Sequence, residues 1–329
     1  MQQRLDYIDF AKAVAIVSVV TGHVMLYDLY GDDVWKTSLM SVIGSYQNNL
    51  FMFLSGIVSV TAIEKKDIIR DIYKRFRCLL VPALIVGIIY AYFIGQNATE
   101  FFVHKWKLGY WYLFVLFALY ILSYPFTFFS NKKMRWLSIL LIPVWLFIYR
   151  HTYIIPTKIN NILDIEFVIN YFPYFFAGNM VKRYGLHEKI FTLPVLLLCV
   201  AILIFQNSIE EISRNYLMLL HHNTIVHLAE IFVIIIVCKF YCKMSSKTRL
   251  YPIILNVGVN TLYIYIFHYF ALQLMSFPSI FEWFVNNGNL IIDIMASIVP
   301  VVVAIIFSLL LKKMIEKDHR IMKLIFNRG

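Results

Sequence analysis

Two ionisable residues near the start of the chain are spaced in a way that suits catalysis inside a membrane. Lys12 and His23 are eleven residues apart, close to three turns of an α-helix, so both lie on one helix face, about 16–17 Å apart along the axis. A neutral imidazole is a suitable general base near pH 7. The alternative is that Lys12 anchors the helix at the membrane surface and His23 is a hydrogen-bonded interior residue.

A pair of arginines follows further along the chain. Arg75 and Arg77 stand one residue apart, directly before an apolar stretch that contains Pro82. Guanidinium groups bind phosphates in bidentate fashion, so the pair indicates a site for a polyphosphorylated ligand such as a nucleotide-bearing cofactor. A basic loop that sets the membrane topology is the alternative, and it explains the charge as well.

A second histidine lies in another apolar stretch. His268 occurs within LYIYIFHYF, and a helix that begins near Tyr251 would bring it to about the depth of His23. With Lys12 and the arginines, the two histidines predict a polar path across the membrane. Asp9 precedes Lys12 by three residues and is placed to pair with it or orient it; an ordinary acidic residue at a helix start is the alternative.

The composition shows what kind of element must position these residues. Of 329 residues, 60% are hydrophobic and 15% are charged, against roughly 45–50% and about 25% in soluble domains. This excludes a soluble enzyme, a disordered regulator and a secreted disulfide scaffold. The net charge of +11 is scattered between apolar stretches, which indicates membrane topology and no nucleic-acid partner. We predict an all-α polytopic transmembrane bundle in a lipid bilayer, forming one domain (1–329) without a separate soluble domain.

About ten stretches approach the roughly 20 apolar residues that cross a bilayer. They lie near 10–29, 39–61, 78–95, 109–129, 136–150, 165–181, 190–206, 224–241, 251–275 and 290–311. Pro143 and Pro173 interrupt the fifth and sixth, and an eleventh span stays open. With this topology, 24 of the 30 Lys and Arg residues fall on the side of the N-terminus. Because positively charged loops stay in the cytoplasm, both termini are predicted to be cytoplasmic.

Several short motifs occur together in one order along most of the chain. They are Asp6–His23, Leu50–Gly56, the Arg75 and Arg77 pair with Pro82, Trp111–Leu113, Phe175–Gly178 and Leu262–His268. In this series the chain resembles the integral-membrane acyltransferase family three, which contains bacterial fucose 4-O-acetylases and other surface-glycan O-acetyltransferases. Two positions depart from the family: Lys12 replaces the common arginine, and Gln47-Asn48-Asn49 replaces the H-M-P of some branches, so the acceptor sugar is not carried over.

The resemblance implies an O-acetyltransferase of the bacterial-type plasma (inner) membrane. Acetyl-CoA would be the cytoplasmic acyl donor, and a hydroxyl of a cell-surface glycan or lipid-linked sugar the acceptor. His23 would act as general base for direct transfer or as a transient acyl carrier, and both routes stay open, as does the length of the acyl chain. The expected catalytic residues are His23, His268 and Asp9; the expected donor-binding residues are Lys12, Arg75, Arg77, Ser55 and Gly56; the expected acceptor-binding residues are Trp111, Tyr112, Asn48 and Asn49.

Other interpretations compete for some of these residues. Helix packing by small residues explains Ser55 and Gly56 nearly as well, and an aromatic belt is the alternative for Trp111 and Tyr112. A transporter or flippase of a glycan or small metabolite is the alternative function, although the chain shows no internal repeat of the kind common in transporters.

A further cluster of polar residues suggests a metal site at first sight. His221, His222 and His227 gather near the outer end of the eighth stretch, but no companion ligand spacing supports metal binding. We therefore predict no metal. Glu230 and Asp293 fall within predicted spans, where pairing inside the bundle is expected in preference to catalysis.

Overall fold

A computed structural model describes residues 5–63, 68–206, 224–245, 248–275 and 281–326. Within these ranges the chain is helical and has no β-strand. The helices are α1 (Asp6–Val24), α2 (Ser38–Ile63), α3 (Ile68–Arg75), α4 (Val81–Phe93), α5 (Ala98–Val103), α6 (Trp111–Leu122), α7 (Leu141–Arg150), α8 (Thr157–Leu163), α9 (Ile165–Arg183), α10 (His187–Ile190), α11 (Leu193–Ile204), α12 (Thr224–Ser245), α13 (Leu250–Val259), α14 (Thr261–Met275), α15 (Phe281–Asn287), α16 (Leu290–Lys317) and α17 (His319–Phe326). The predicted all-α class is confirmed for this part of the chain.

Several of these helices are suited to a bilayer. By length and composition, four helical segments of the described residues are long and apolar enough to cross it: Asp6–Lys36, Ile68–Phe93, Thr224–Met244 and Leu290–Lys317. Two bent helix pairs would raise the number to six if each forms one span. The chain is thus a multi-pass membrane protein, whereas the count of ten spans and the cytoplasmic placement of both termini stay predictions.

The two proline-containing stretches behave differently. Near 136–150 the chain forms a 3-10 helix, Lys132–Leu140, followed by the ten-residue α7, so one continuous spanning helix is not formed there. Pro143 lies in the first turn of α7, where the missing amide proton costs no hydrogen bond. Pro173 lies inside α9, which continues through it over 19 residues. The predicted interruption at Pro173 is therefore wrong.

The ninth predicted span is broken. The chain bends by 86° between α13 and α14, so the prediction of one continuous helix over 251–275 is wrong. At the bend, the Asn260 side-chain amide donates to the backbone oxygen of Asn256 at 2.7 Å. Asparagine side chains compete with helical backbone bonds in this way, and the helix that carries His268 consequently begins only at Thr261.

Helix α1 lies at the centre of the bundle. It contacts α2, α12, α13, α14 and α16, and Ala11, Ala15 and Ile16 on it are fully buried. Asp6 and Asp9 occupy its first turn, where a negative charge is favourable to the helix dipole. This central position brings Lys12 and His23 next to several other helices at once.

Candidate functional site

Two cavities inside the bundle share part of their walls. The Lys12 cavity has a volume of about 310 Å³, and its wall includes Lys12, Ser55 and Tyr120. The His23 cavity has a volume of about 510 Å³, and its wall includes His23, Gln47 and Trp111. Four residues line both cavities: Val19, Asn48, Tyr112 and Tyr265. We call these four residues the junction, because they are the shared wall at which the contents of the two cavities come closest.

The two predicted histidines are in direct contact. His23 Nδ1 lies 2.8 Å from His268 Nε2, and the rings are within 10° of parallel. His268 is fully buried and does not line the cavity, whereas His23 does. The matched depth inferred from the sequence is therefore correct, although the continuous helix used to infer it does not exist. Because His268 contacts His23 and stands outside the cavity wall, its geometry is that of a positioning residue.

The hydrogen bonds indicate which nitrogen carries each proton. The backbone oxygen of Ile264 can only accept, so His268 Nδ1 donates to it, at 2.9 Å. In a pair of neutral rings, His268 Nε2 is then an acceptor, and His23 Nδ1 donates to it. His23 Nε2 keeps a free lone pair, which is what a general base at the cavity wall requires.

The turn Lys107–Gly109, beside the histidines, accepts hydrogen bonds from two tyrosines of α14. The Tyr269 hydroxyl donates to the backbone oxygen of Gly109 at 3.1 Å and lies 3.5 Å from His23 Nε2. The Tyr265 hydroxyl donates to the same oxygen. Gly109 has a φ of +98°, and a Cβ at this position would lie 2.3 Å from Tyr269 atoms. Only glycine fits there. Its backbone oxygen fixes the two tyrosine side chains, both of which line the His23 cavity.

A buried ion pair supports this turn. Lys107 Nζ lies 3.2 Å from Asp164 Oδ2 and donates to the backbone oxygen of Asn161 at 2.9 Å. Both charged residues are buried. Burial raises the pKa of Asp164 to about 6, and Lys107 opposes the rise. Lys107 has a φ of +43°, a conformation that costs energy for a residue with a side chain and that the pair helps to hold.

We expect Asp164→Ala to lower the free energy of unfolding by roughly 3 kcal/mol, because the Lys107 ammonium is then buried without its counter-charge. Thermal unfolding in detergent at neutral pH measures the loss. The double variant Lys107→Met/Asp164→Ala removes the unpaired charge and should recover most of it. Equal losses in the single and the double variant would contradict a stabilising role for the pair.

Two of the five predicted donor-binding residues, Lys12 and Ser55, line the Lys12 cavity. Lys12 lines it and pairs with the buried Asp9 at 3.3 Å, as expected. Ser55 also lines it, 3.3 Å from the Tyr112 hydroxyl. The Arg75 guanidinium lies 3.9 Å from the ring centroid of Tyr120, which is part of the cavity wall. Arg75 is additionally paired with Asp71 at 3.8 Å and is not itself part of the cavity wall.

Three predicted site residues lie elsewhere among the described residues. Arg77 donates to the backbone oxygen of Lys323 in α17 at 3.2 Å. Gly56 lies where α2 crosses α9 and is absent from both cavity walls, which favours packing as its role. The Asn49 side chain donates to the backbone oxygen of Ser45 at 2.7 Å, whereas its neighbour Asn48 belongs to the junction.

The two remaining predicted acceptor-binding residues occupy different places: one lines a single cavity and the other belongs to the junction. Trp111 lines only the His23 cavity, together with Trp35 and Trp106. Tyr112 lines both cavities. It therefore lies inside the bundle and not in an aromatic belt at the membrane surface. An aromatic wall with a few polar groups is the usual lining of a site for an organic ligand.

Glu230 and Asp293, two acids that fall within predicted spans, have hydrogen-bond partners. Glu230 accepts a hydrogen bond from Ser45 at 2.8 Å and lies 3.0 Å from His227 Nδ1. Asp293 accepts one from the Tyr30 hydroxyl. No group of three His, Cys, Asp or Glu in the described ranges could hold a metal ion, and His221 and His222 fall outside those ranges.

Sequence reasoning missed four side chains of the site. Tyr265 and Tyr269 flank His268 within the quoted motif, so their spacing was available as a signal. Lys107 and Asp164 are far apart in sequence and separately resemble ordinary loop charges, so no local pattern could pair them.

The chain is similar to known proteins over most of its length. A family model described as "Acyltransferase domain" matches residues 5–311. Nodulation protein NolL from Mesorhizobium japonicum is 35% identical over 78 residues, which are 23% of this chain and 21% of that relative. The match thus spans about a fifth of the relative's length. No solved structure matches.

Proposed function

The chain belongs to the acyltransferase family three, whose model matches residues 5–311, and on this premise we propose that it transfers an acetyl group from acetyl-CoA to a hydroxyl of a cell-surface glycan or lipid-linked sugar. Family membership makes it a membrane acyltransferase and counts against the alternative of a transporter or flippase. The donor, the acceptor and the residue roles are the proposed part.

The observation that carries the proposal is the shared wall of the two cavities. Lys12 lines one cavity, His23 lines the other, and the junction is common to both. A donor that entered along Lys12 would present its thioester at the junction, where an acceptor in the His23 cavity would meet it. The distribution of Lys and Arg residues supports a cytoplasmic opening on the Lys12 side.

The donor phosphates would bind on that side. The Lys12 ammonium lines one cavity, the Arg75 guanidinium packs on Tyr120 of the same wall, and both groups form strong hydrogen bonds to phosphate oxygens. The extended pantetheine arm would then lie along the Lys12 cavity toward the junction. The phenol of Tyr112 and the amide of Asn48 line the place where the thioester carbonyl would arrive.

The reaction would need one proton acceptor. The acceptor hydroxyl oxygen attacks the thioester carbonyl carbon while His23 Nε2 takes the hydroxyl proton. The tetrahedral intermediate collapses with loss of the C–S bond, and the imidazolium returns the proton to the leaving thiolate. An acetyl-imidazole on His23, formed first and then attacked by the hydroxyl, gives the same balance in two steps.

We expect Lys12→Met to raise the KM for acetyl-CoA by about 10- to 100-fold, because one charged hydrogen bond to a phosphate is lost. The measurement uses purified protein, labelled acetyl-CoA and a panel of glycan acceptors, with Lys12→Arg expected to retain a KM nearer to wild type. Purified wild type that neither binds nor cleaves acetyl-CoA would overturn the proposed function.

A second variant separates donor binding from folding. Lys12 is paired with the buried Asp9, so Lys12→Met also disturbs a buried charge. The double variant Asp9→Asn/Lys12→Met removes that charge. A KM defect that persists in the double variant supports donor binding by Lys12. Full recovery of the wild-type KM would mean that Lys12 only neutralises Asp9 and does not bind the donor.

A further inference from the structure

One polar side chain of the His23 cavity has an unmet hydrogen bond. Gln47 on α2 is buried, with 8% of its surface exposed, and it lines this cavity. Its carbonyl oxygen Oε1 has no hydrogen-bond partner among the described residues. Buried polar groups nearly always have a partner, and an unpaired one is costly. At a cavity wall, that partner is supplied by whatever occupies the cavity.

The unpaired oxygen lies against the helix that carries the proposed base. A Cβ built on Gly22 would be 3.5 Å from Gln47 Oε1, and Gly22 directly precedes His23. The wall of one cavity therefore presents two hydrogen-bond acceptors, the lone pair of His23 Nε2 and the oxygen of Gln47. One hydroxyl satisfies the imidazole, and the amide oxygen needs a second donor.

The rest of the wall suits a molecule with several hydroxyl groups. The rings of Trp35, Trp106 and Trp111 supply apolar faces, and the volume of about 510 Å³ lies within the usual range for ligand sites. A simple alcohol would donate only the proton that His23 takes. A ring that carries several hydroxyls would satisfy both acceptors at once.

We propose that Gln47 is a specificity-determining residue, whose Oε1 accepts a hydrogen bond from a second hydroxyl of the sugar that is acylated. The acyl acceptor is then recognised through at least two of its hydroxyl groups. This inference rests on the proposed function, since it assumes that a hydroxylated acceptor occupies the His23 cavity.

The test is a double-mutant-type cycle, in which one change removes the Gln47 amide and the other removes one hydroxyl of the substrate, and kcat/KM is compared. Labelled acetyl-CoA is offered with methyl glycosides of the common hexoses, and then with each monodeoxy analogue of the glycoside that is acylated best. We expect one monodeoxy analogue to lose about 10- to 100-fold in kcat/KM with wild type. Gln47→Met, which keeps the length and loses the acceptor oxygen, should lose a similar factor on the parent glycoside and nothing further on that analogue.

Each other outcome has a distinct meaning. Independent losses, in which Gln47→Met and every deoxygenation multiply, would overturn the inference, as would wild type that acylates cyclohexanol as efficiently as the best methyl glycoside. Gln47→Glu keeps an oxygen that can accept a hydrogen bond. It should therefore again favour the parent glycoside over the monodeoxy analogue, which a purely structural role would not predict. If wild type transfers acetyl groups to none of these probes, the proposed acceptor fails and the inference with it; transfer without the cycle defeats the inference alone.

Discussion

Replacing His23 by alanine is expected to lower the kcat of acetyl transfer by about 10²- to 10⁴-fold, the usual contribution of a general base. Of the two paired histidines, His23 is the one that lines the cavity, and its Nε2 is the ring nitrogen that the bond to His268 does not use. The KM for acetyl-CoA should change little, because the Lys12 side of the donor site is untouched. Single-turnover transfer from labelled acetyl-CoA measures the chemical step directly.

Variants of His268 are the matched control. His268 touches His23 and lines neither cavity, so it acts through His23. His268→Gln retains an oxygen that can accept from His23 Nδ1, whereas His268→Ala does not. We expect the alanine variant to lose more activity and to shift the pH–rate profile. Transfer at the wild-type rate by His23→Ala would remove both roles, and labelled histidine recovered from quenched wild type would identify the covalent route.

The pairing of the two histidines shows what the sequence could predict and where it misled. Eleven residues between Lys12 and His23 fix their separation within one helix, because helical rise and periodicity are local properties. The depth of His268 was inferred from a continuous helix, yet the chain bends by 86° at Asn260. At that bend the Asn260 side-chain amide donates to a backbone oxygen, a local contact that residue spacing does not report.

The junction is predictable only in part for a related reason. The family resemblance implies that Tyr112 and Asn48 bind the acyl acceptor, but which cavity each one faces depends on how α2 and α6 are rotated in the bundle. The apolar helices carry little amphipathic signal, since they meet lipid on one side and protein on the other. The Gln47 side chain stands in the quoted Gln47-Asn48-Asn49 segment, yet its missing partner appears only after the neighbours are in place.

The crossing of α2 and α9 could also be predicted only in part. The sequence indicates that a close helix contact exists, but not which two helices form it. Glycines in apolar helices favour close helix contacts, and two of the recognised motifs end in Gly56 and Gly178. The structure pairs them reciprocally: a Cβ on Gly56 would lie 2.1 Å from the backbone oxygen of Phe175, and one on Gly178 would lie 2.0 Å from that of Phe53. In each case the obstacle is backbone, which cannot rotate away.

Gly178→Ala is therefore expected to prevent folding or to lower the thermal unfolding midpoint more than any other single change considered for this chain. One methyl group at that distance must separate α2 from α9, and overpacking of this kind is costly even where side chains can yield. Because α2 carries Gln47, Asn48 and Ser55, the separation would also open the junction. The measurements are yield, size-exclusion profile and thermal unfolding in detergent.

Gly44→Ala is the matched control, since it makes the same substitution on α2. A Cβ on Gly44 would meet only the Met40 methyl carbon, at 3.8 Å, and alanine favours helix over glycine by roughly 1 kcal/mol. Gly44→Ala should therefore unfold at or above the wild-type temperature. If Gly178→Ala unfolded together with Gly44→Ala, the close crossing of α2 and α9 would be wrong, and the placement of Asn48 and Ser55 in the walls of the two cavities would lose its support.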